Sequence, residues 1–325
     1  MLKPGLFILC LFLLAGPVTT LAAESQASPP ASITAYPKAH GVHSRFAYET
    51  WDFSGQAFDE AGNHYGYFFK VFKRKHILGI VSRIVDFTTS KKIFFYEAKV
   101  KFEKSETSKP SELHLKIKDA FLRYAPESDS WTFGVLQKQN AFNFRAKSLK
   151  PYTPNHPDQT KSSPLHLNQY AAQSMHINGN LTIKGQSSFV TGKDSWLMHT
   201  WQDTLDLDLR SYTLLTCRFS DLSGIMVFQG IPLKHGLPFK IASYQTNSGE
   251  TSSPAFTLSS FKKQDLPAWR LSIPSEKITL NLAATPEDSG VASRYLPEFY
   301  KGFTTVSGNK AGYCGVEIFQ NRQVL

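Results

Sequence analysis

From about residue 45 onward the sequence is a succession of short runs in which apolar and polar residues alternate, each closed by a turn signal. A period of two puts successive side chains on opposite faces of a strand, and a sustained helical period of 3.6 is hard to find in the chain. Ala47 to Phe53 alternates and ends at Ser54-Gly55. Phe58 to Asn63 is a polar hairpin turn carrying Gly62, and His64 to Phe72 is the return strand. Ile77 to Phe87 and Lys91 to Phe102 pair across Thr88-Thr89-Ser90. Leu113 to Tyr124, Ser130 to Gln137 and Ala141 to Ala146 continue as a meander. Ser174 to Ile183 reads as two strands about an Asn178-Gly179 turn. A second series begins near Trp196 and runs from Ser211 to Phe219 through to Tyr313 to Gln320. Two series of roughly eight short strands predict an all-β chain of two tandem antiparallel barrels or sandwiches, because closure removes exposed sheet edges. Between the meander and the rest, Lys147 to Lys161 holds Pro151, Pro154 and Pro157. It is expected to be irregular, a flap or an inter-strand crossing.

The N-terminus sets the expected compartment. Lys3 is followed by a short apolar stretch, Leu6 to Ala15, and by small residues ending in Leu21-Ala22-Ala23. This is the pattern of a secretory signal cut after Ala23, and the apolar stretch is too short to span a bilayer. Ser25 to Pro37 is rich in Ser, Ala and Pro and reads as a flexible leader. The expected organisation is therefore a signal peptide over 1–23, a leader over 24–40, a first domain over 41–195 and a second over 196–325. The 36 basic residues become 35 once Lys3 is removed, against 26 acidic ones, a net charge of +9. Such a surface favours anionic partners, including peripheral contact with an anionic membrane surface; an exported protein rarely meets nucleic acid, so none is expected. Of the three cysteines, Cys10 leaves with the signal. Cys217 and Cys314 remain, on the first and last strands of the second series, where an oxidising compartment allows a bridge or two buried free thiols.

Several segments resemble a known family. They are Tyr48-Glu49-Thr50-Trp51-Asp52-Phe53-Ser54-Gly55 with Gly62 and Tyr65-Gly66-Tyr67, then His76 to Asp86 with Lys92, and Gly192-Lys193-Asp194-Ser195-Trp196. Trp269 to Ile273, Tyr300-Lys301-Gly302, Gly308 and Gly312-Tyr313-Cys314-Gly315-Val316-Glu317 complete the set. In order and spacing they resemble the carotenoid 1,2-hydratase (AttH-like) family of secreted proteins. The resemblance implies tandem lipocalin-like barrels with a cavity for a lipophilic ligand in or between them. Characterised members add water to a carotenoid double bond, and many others are described as secreted hydrolases.

Glu49 is the foremost candidate for chemistry. It shares a strand face with Ala47, Trp51 and Phe53, so a carboxylate points to an apolar interior. Such a group must be protonated, paired or hydrogen-bonded. The functional reading is a general acid with a raised pKa; the structural one is a buried ion pair to an arginine. Trp196-Leu197-Met198-His199-Thr200-Trp201 bears on the enzyme question. The resemblance implies an aspartate, the hydratase proton donor, where Met198 stands, and a second polar residue where Thr200 stands. Neither can protonate an alkene. His199 is a second catalytic candidate, but its parity turns it to the face opposite Trp196 and Met198. Asp203, Asp206 and Asp208 lie just beyond. Trp51, Trp196, Met198, Thr200 and Trp201 are the expected ligand-binding residues. Aromatics such as Phe69, Trp131 and Phe133 suit either a lipophile or plain core packing. No Gly-x-Ser-x-Gly elbow, phosphate-binding glycine loop or metal-ligand spacing appears, and the expectation is no metal and no cofactor. The sequence thus favours a non-catalytic binder of a lipid or isoprenoid over a hydratase or hydrolase.

Overall fold

The computed structural model describes residues 38–89, 91–102, 112–154, 168–203, 209–233, 238–285, 293–296 and 299–321. The signal-like segment, the leader up to residue 37, and Asp206 and Asp208 lie outside them. Helix among the described residues is limited to three 3-10 turns.

The first sheet contains β1 (Tyr48–Asp59), β2 (His64–Arg74), β3 (Ile77–Asp86), β4 (Lys91–Lys101), β5 (Leu113–Ile117), β6 (Ala120–Ala125), β7 (Ser130–Leu136), β8 (Ala141–Ser148), β9 (Thr153–Pro154), β10 (Asn168–Ile183) and β11 (Gln186–Gln202). Its order is β4-β3-β2-β1-β11-β10-β8-β7-β6-β5, with β9 paired to β10, and β5 curls round to lie against β3 and β4. The second contains β12 (Leu209–Phe219), β13 (Gly224–Pro232), β14 (Phe239–Gln245), β15 (Thr251–Ser252), β16 (Thr257–Lys263), β17 (Leu266–Ile273), β18 (Ile278–Ala284), β19 (Phe299–Gly308) and β20 (Gly312–Gln320). Its order is β15-β14-β13-β12-β20-β19-β18-β17-β16. Each sheet is curled into a barrel or half-barrel, the two-domain lipocalin-like all-β arrangement. Both belong to one compact unit, residues 34–325.

Four expectations shift. Strand β11 is paired to β1 on one side and β10 on the other through Gln202, so the first sheet ends there and not at residue 195. Lys38–His40 form a 3-10 helix with His40 fully buried, so the leader joins the fold before residue 40. Asn178-Gly179 is not a turn: β10 runs straight through it. A Cβ at Gly179 would stand 2.0 Å from the Asn143 carbonyl oxygen, so the glycine serves close approach to β8. Leu113 to Tyr124 is a hairpin whose turn puts Lys118 at a φ of 54°, a bend with no glycine to announce it. Of the proline-rich segment, Thr153 and Pro154 pair with Ala171 and Tyr170, and residues 155–167 lie outside the description.

Both interiors are filled by side chains. In the first, Phe53 stacks on Phe133 at 4.3 Å between ring centres, and Phe69, Trp131, Phe142 and Phe144 close around them. In the second, Leu215, Val227, Trp269, Leu271 and Val316 pack about the Cys217–Cys314 disulfide, whose residues face each other across β12 and β20. A third apolar cluster joins the sheets: Ala171, Trp196 and Met198 of the first meet Leu209, Tyr212, Leu214, Met226 and Phe228 of the second. Strand β1 is therefore buried on both faces over most of its length.

Candidate functional site

The two faces of β1 build two polar sites. The inward face carries Glu49. Its cross-strand partner on β2 is Lys73, and His199 stands diagonally across on β11. Lys73 Nζ lies 3.3 Å from Glu49 Oε2 and donates to the carbonyls of His43 and Phe46, both at 2.8 Å, so its three N–H groups are all used. The His43 amide donates to both Glu49 oxygens and its Nδ1 to Oε1 at 2.8 Å. His199 Nε2 donates to the same oxygen at 2.9 Å, which leaves its Nδ1 to accept from Tyr170 at 3.1 Å. His40 bonds the Tyr170 hydroxyl in turn, and the Trp51 indole donates to the His40 carbonyl at 3.3 Å. The 38–46 segment is thus fastened over the end of the first barrel.

Burial alone would raise the Glu49 pKa, but hydrogen bonds from His199 and His43 outweigh it and hold the carboxyl at about 2. Burial lowers His199 to about 4 against the pull of Glu49. Glu49 is therefore ionised and His199 neutral near pH 7, and the expected raised-pKa acid is not what this site holds. The ion-pair partner is Lys73, not an arginine. His43, Glu49 and His199 are the group of donor atoms close enough to share a metal among the described residues, within 4.8 Å of one another. Hydrogen bonding and Lys73 already satisfy them, and the carboxylate charge is matched without an ion.

The opposite face of β1, with Thr50, Asp52 and Ser54, meets the second sheet. Lys70 lies directly across from Asp52 on β2, and Met198 directly across on β11. Lys70 Nζ donates to Glu317 Oε2 at 2.8 Å and stands 3.6 Å from Asp52 Oδ2. Lys301 bonds Asp52 Oδ1 and lies 3.8 Å from Glu317, whose other oxygen accepts from Tyr212 at 2.6 Å. Two lysines and two carboxylates thus form a charge-balanced cluster in which Asp52, Lys70 and Glu317 are buried and Lys301 is partly so. Burial would raise Glu317, but Lys70 and Lys301 hold it at about 2; burial, with Glu317 adding to it, raises Asp52. Above this floor lies a partly open cleft with a free volume of about 40 Å³, lined among others by Tyr48, Met198, Thr200, Tyr212, Leu214 and Phe228. A smaller hollow, lined among others by Asp52, Trp196 and Lys301, adjoins it at Met198 and Leu214.

The structure therefore divides the expected ligand-binding residues. Met198 and Thr200 line the cleft and Trp196 the adjoining hollow, whereas Trp51 and Trp201 lie fully buried in the first barrel beside His199. Asp203 is exposed at the end of β11. Sequence reasoning missed Asp52, Lys70, Lys301 and Glu317. Their signal was a polar set at alternate positions, which reads as a solvent face until a second sheet covers it. It also missed His40, His43 and Tyr170, whose approach to Glu49 depends on the chain folding back.

Fold and site define a tandem lipocalin-like protein with a cleft between its two β units. The AttH-like family profile matches residues 26–319, and the chain belongs to that family. No curated protein matches it. The crystal structure of an AttH-like protein from Nitrosomonas europaea superposes with a TM-score of 0.73 at 17% identity, covering 90% of this chain and 98% of that one. Kievitone hydratase from Nectria haematococca gives 0.73 at 14% identity, over 88% and 92%. CghA, solved with Sch210972, gives 0.60 at 10% identity, over 85% and 89%. These likenesses show the fold.

Proposed function

We propose that this protein binds an apolar small molecule, a lipid or isoprenoid, in the cleft between its two sheets. The observation that carries the reading is the cleft itself: Met198, Tyr212, Leu214 and Phe228, which also pack the two sheets together, line it, and Trp196 lines the hollow beside it. Apolar walls with a few convergent polar groups are the usual makeup of a small-molecule site. Met198 supplies an adaptable thioether at the centre of the wall and no proton. The protein is exported, to the periplasm or the cell exterior, and its basic surface contacts anionic membrane peripherally. The Cys217–Cys314 bridge suits an oxidising compartment. No helix of the described residues is long and apolar enough to cross a membrane.

The test is titration of delipidated protein with long-chain apolar ligands, followed by calorimetry. Trp196→Ala removes a large contact area and is expected to weaken binding about tenfold. Unchanged affinity in that variant places the ligand elsewhere. A second reading, acid chemistry in the adjoining hollow, is favoured by the placement of Asp52 there beside Met198, with its pKa raised by burial. Its sign would be a hydrated isoprenoid formed by the wild type and lost in Asp52→Asn.

A further inference from the structure

The floor of the smaller hollow has a polar mismatch. Asp52 Oδ2 and Trp196 Nε1 are both buried and neither has a hydrogen-bond partner. Lys70 Nζ, at 3.6 Å, is too far from Asp52 Oδ2 to donate to it. Asp52 and Trp196 lie on adjacent strands and on the same face: Asp52 is paired with Met198, and Trp196 is two residues before it on β11. They line the same hollow. Thr200 Oγ1, also buried and without a partner, faces the larger cleft on the other side of Met198. Leaving a buried polar atom unpaired costs about 1–3 kcal/mol, so a water or a ligand group is needed to meet Asp52 Oδ2 and Trp196 Nε1.

We infer that the cleft selects apolar ligands bearing a hydroxyl group, which donates to Asp52 Oδ2 and accepts from Trp196 Nε1. This rests on the cleft-binding reading and names the ligand class for it. A hydroxyl is the small group that meets an acceptor and a donor at once. A hydrocarbon meets neither. An ether can accept from the indole but leaves the carboxylate unmet. A carboxylate ligand brings no proton to donate to Asp52, and an ammonium group donates but cannot accept from Trp196. The apolar body extends past Met198, whose unbranched side chain separates the two hollows and can swing aside.

The experiment compares 1-octanol with 1-methoxyheptane, which have the same number of heavy atoms, by calorimetry on the delipidated full chain at pH 8. The expected result is at least about tenfold tighter binding of the alcohol. Trp196→Phe keeps an aromatic ring and removes the donor, so it should weaken alcohol binding about tenfold and lower the alcohol-to-ether ratio. Asp52→Asn should bring the alcohol-to-ether ratio towards one. If that variant loses its fold because Lys301 loses its partner, Trp196→Phe still carries the test. Equal affinity of alcohol and ether in the wild type means that water serves the two atoms; it overturns the hydroxyl assignment and leaves cleft binding standing. A preference that survives Trp196→Phe and Asp52→Asn also overturns it. Binding of neither ligand overturns the cleft reading itself.

Discussion

Asp52 and Met198 face each other across β1 and β11, and both side chains point away from the first barrel towards the second sheet. One strand pair thus serves two purposes. Its inner face, through Glu49, Trp51 and His199, closes the first barrel. Its outer face, through Asp52, Trp196 and Met198, makes one wall of the cleft.

If the Glu49 cluster is a structural lock, removing its charge should cost stability and spare the cleft. Glu49 is fully buried and matched by Lys73. Glu49→Gln leaves the lysine without its counter-charge, a loss expected at about 3–5 kcal/mol for a broken buried pair. A urea midpoint within error of wild type would contradict the lock. Unchanged ligand affinity in the surviving folded fraction is the second expected outcome.

The same cluster sets the acid response. His40 and His199 are lowered from 6.5 to about 3 and about 4, chiefly by burial. The unfolded chain therefore takes up protons that the folded chain does not. Their contribution is whole above pH 6.5 and fades as pH falls towards 4 and below. Glu49, lowered from 4.5 to about 2, contributes above pH 4.5 and loses that contribution as pH falls through about 2. Denaturation midpoints should decline from just below pH 6.5 and more steeply below 4.5. A flat profile from pH 7 to 3 would be at odds with both shifts.

How much of this was legible in the sequence depends on which face a residue occupies. Period-two alternation gave the strand content, and parity alone separated His199 from Met198. Parity could not say that the polar face of β1 is covered. Thr50, Asp52 and Ser54 look like solvent positions, and only the packing of β12 and β20 against them makes them a buried site. Likewise, Glu49 reads as an isolated inward carboxylate until the 38–46 segment returns with His43. The expected acid was a reasonable inference from burial alone; hydrogen bonds from His199 and His43 reverse its sign.

The disulfide makes a separate claim on stability. Cys217 and Cys314 are 97 residues apart in sequence, and a bridge closing so long a loop contributes about 4–5 kcal/mol in the chain-entropy model. Reduction under native conditions, or Cys217→Ser with Cys314→Ser, should lower the urea midpoint accordingly. Alkylation of both cysteines in unreduced, unfolded protein would show that the bridge is absent.

The final prediction concerns the four charges under the cleft. Lys70 and Glu317 bond at 2.8 Å, but each also faces a member of the second pair, Asp52 at 3.6 Å and Lys301 at 3.8 Å. Lys70→Met leaves two carboxylates and one lysine in a buried site, and Glu317→Gln leaves the reverse imbalance. Each single change should be strongly destabilising, approaching the roughly 3–5 kcal/mol of a broken buried pair, because the remaining partner softens the loss. The double variant Lys70→Met with Glu317→Gln retains Asp52 and Lys301, which bond directly, and restores neutrality. Its cost should therefore fall below the sum of the singles by about 0.5–3 kcal/mol, the range found for residues within one network. Strict additivity in the double-mutant cycle would mean that Lys70 and Glu317 act independently. The charge balance inferred for the cleft floor would then be wrong.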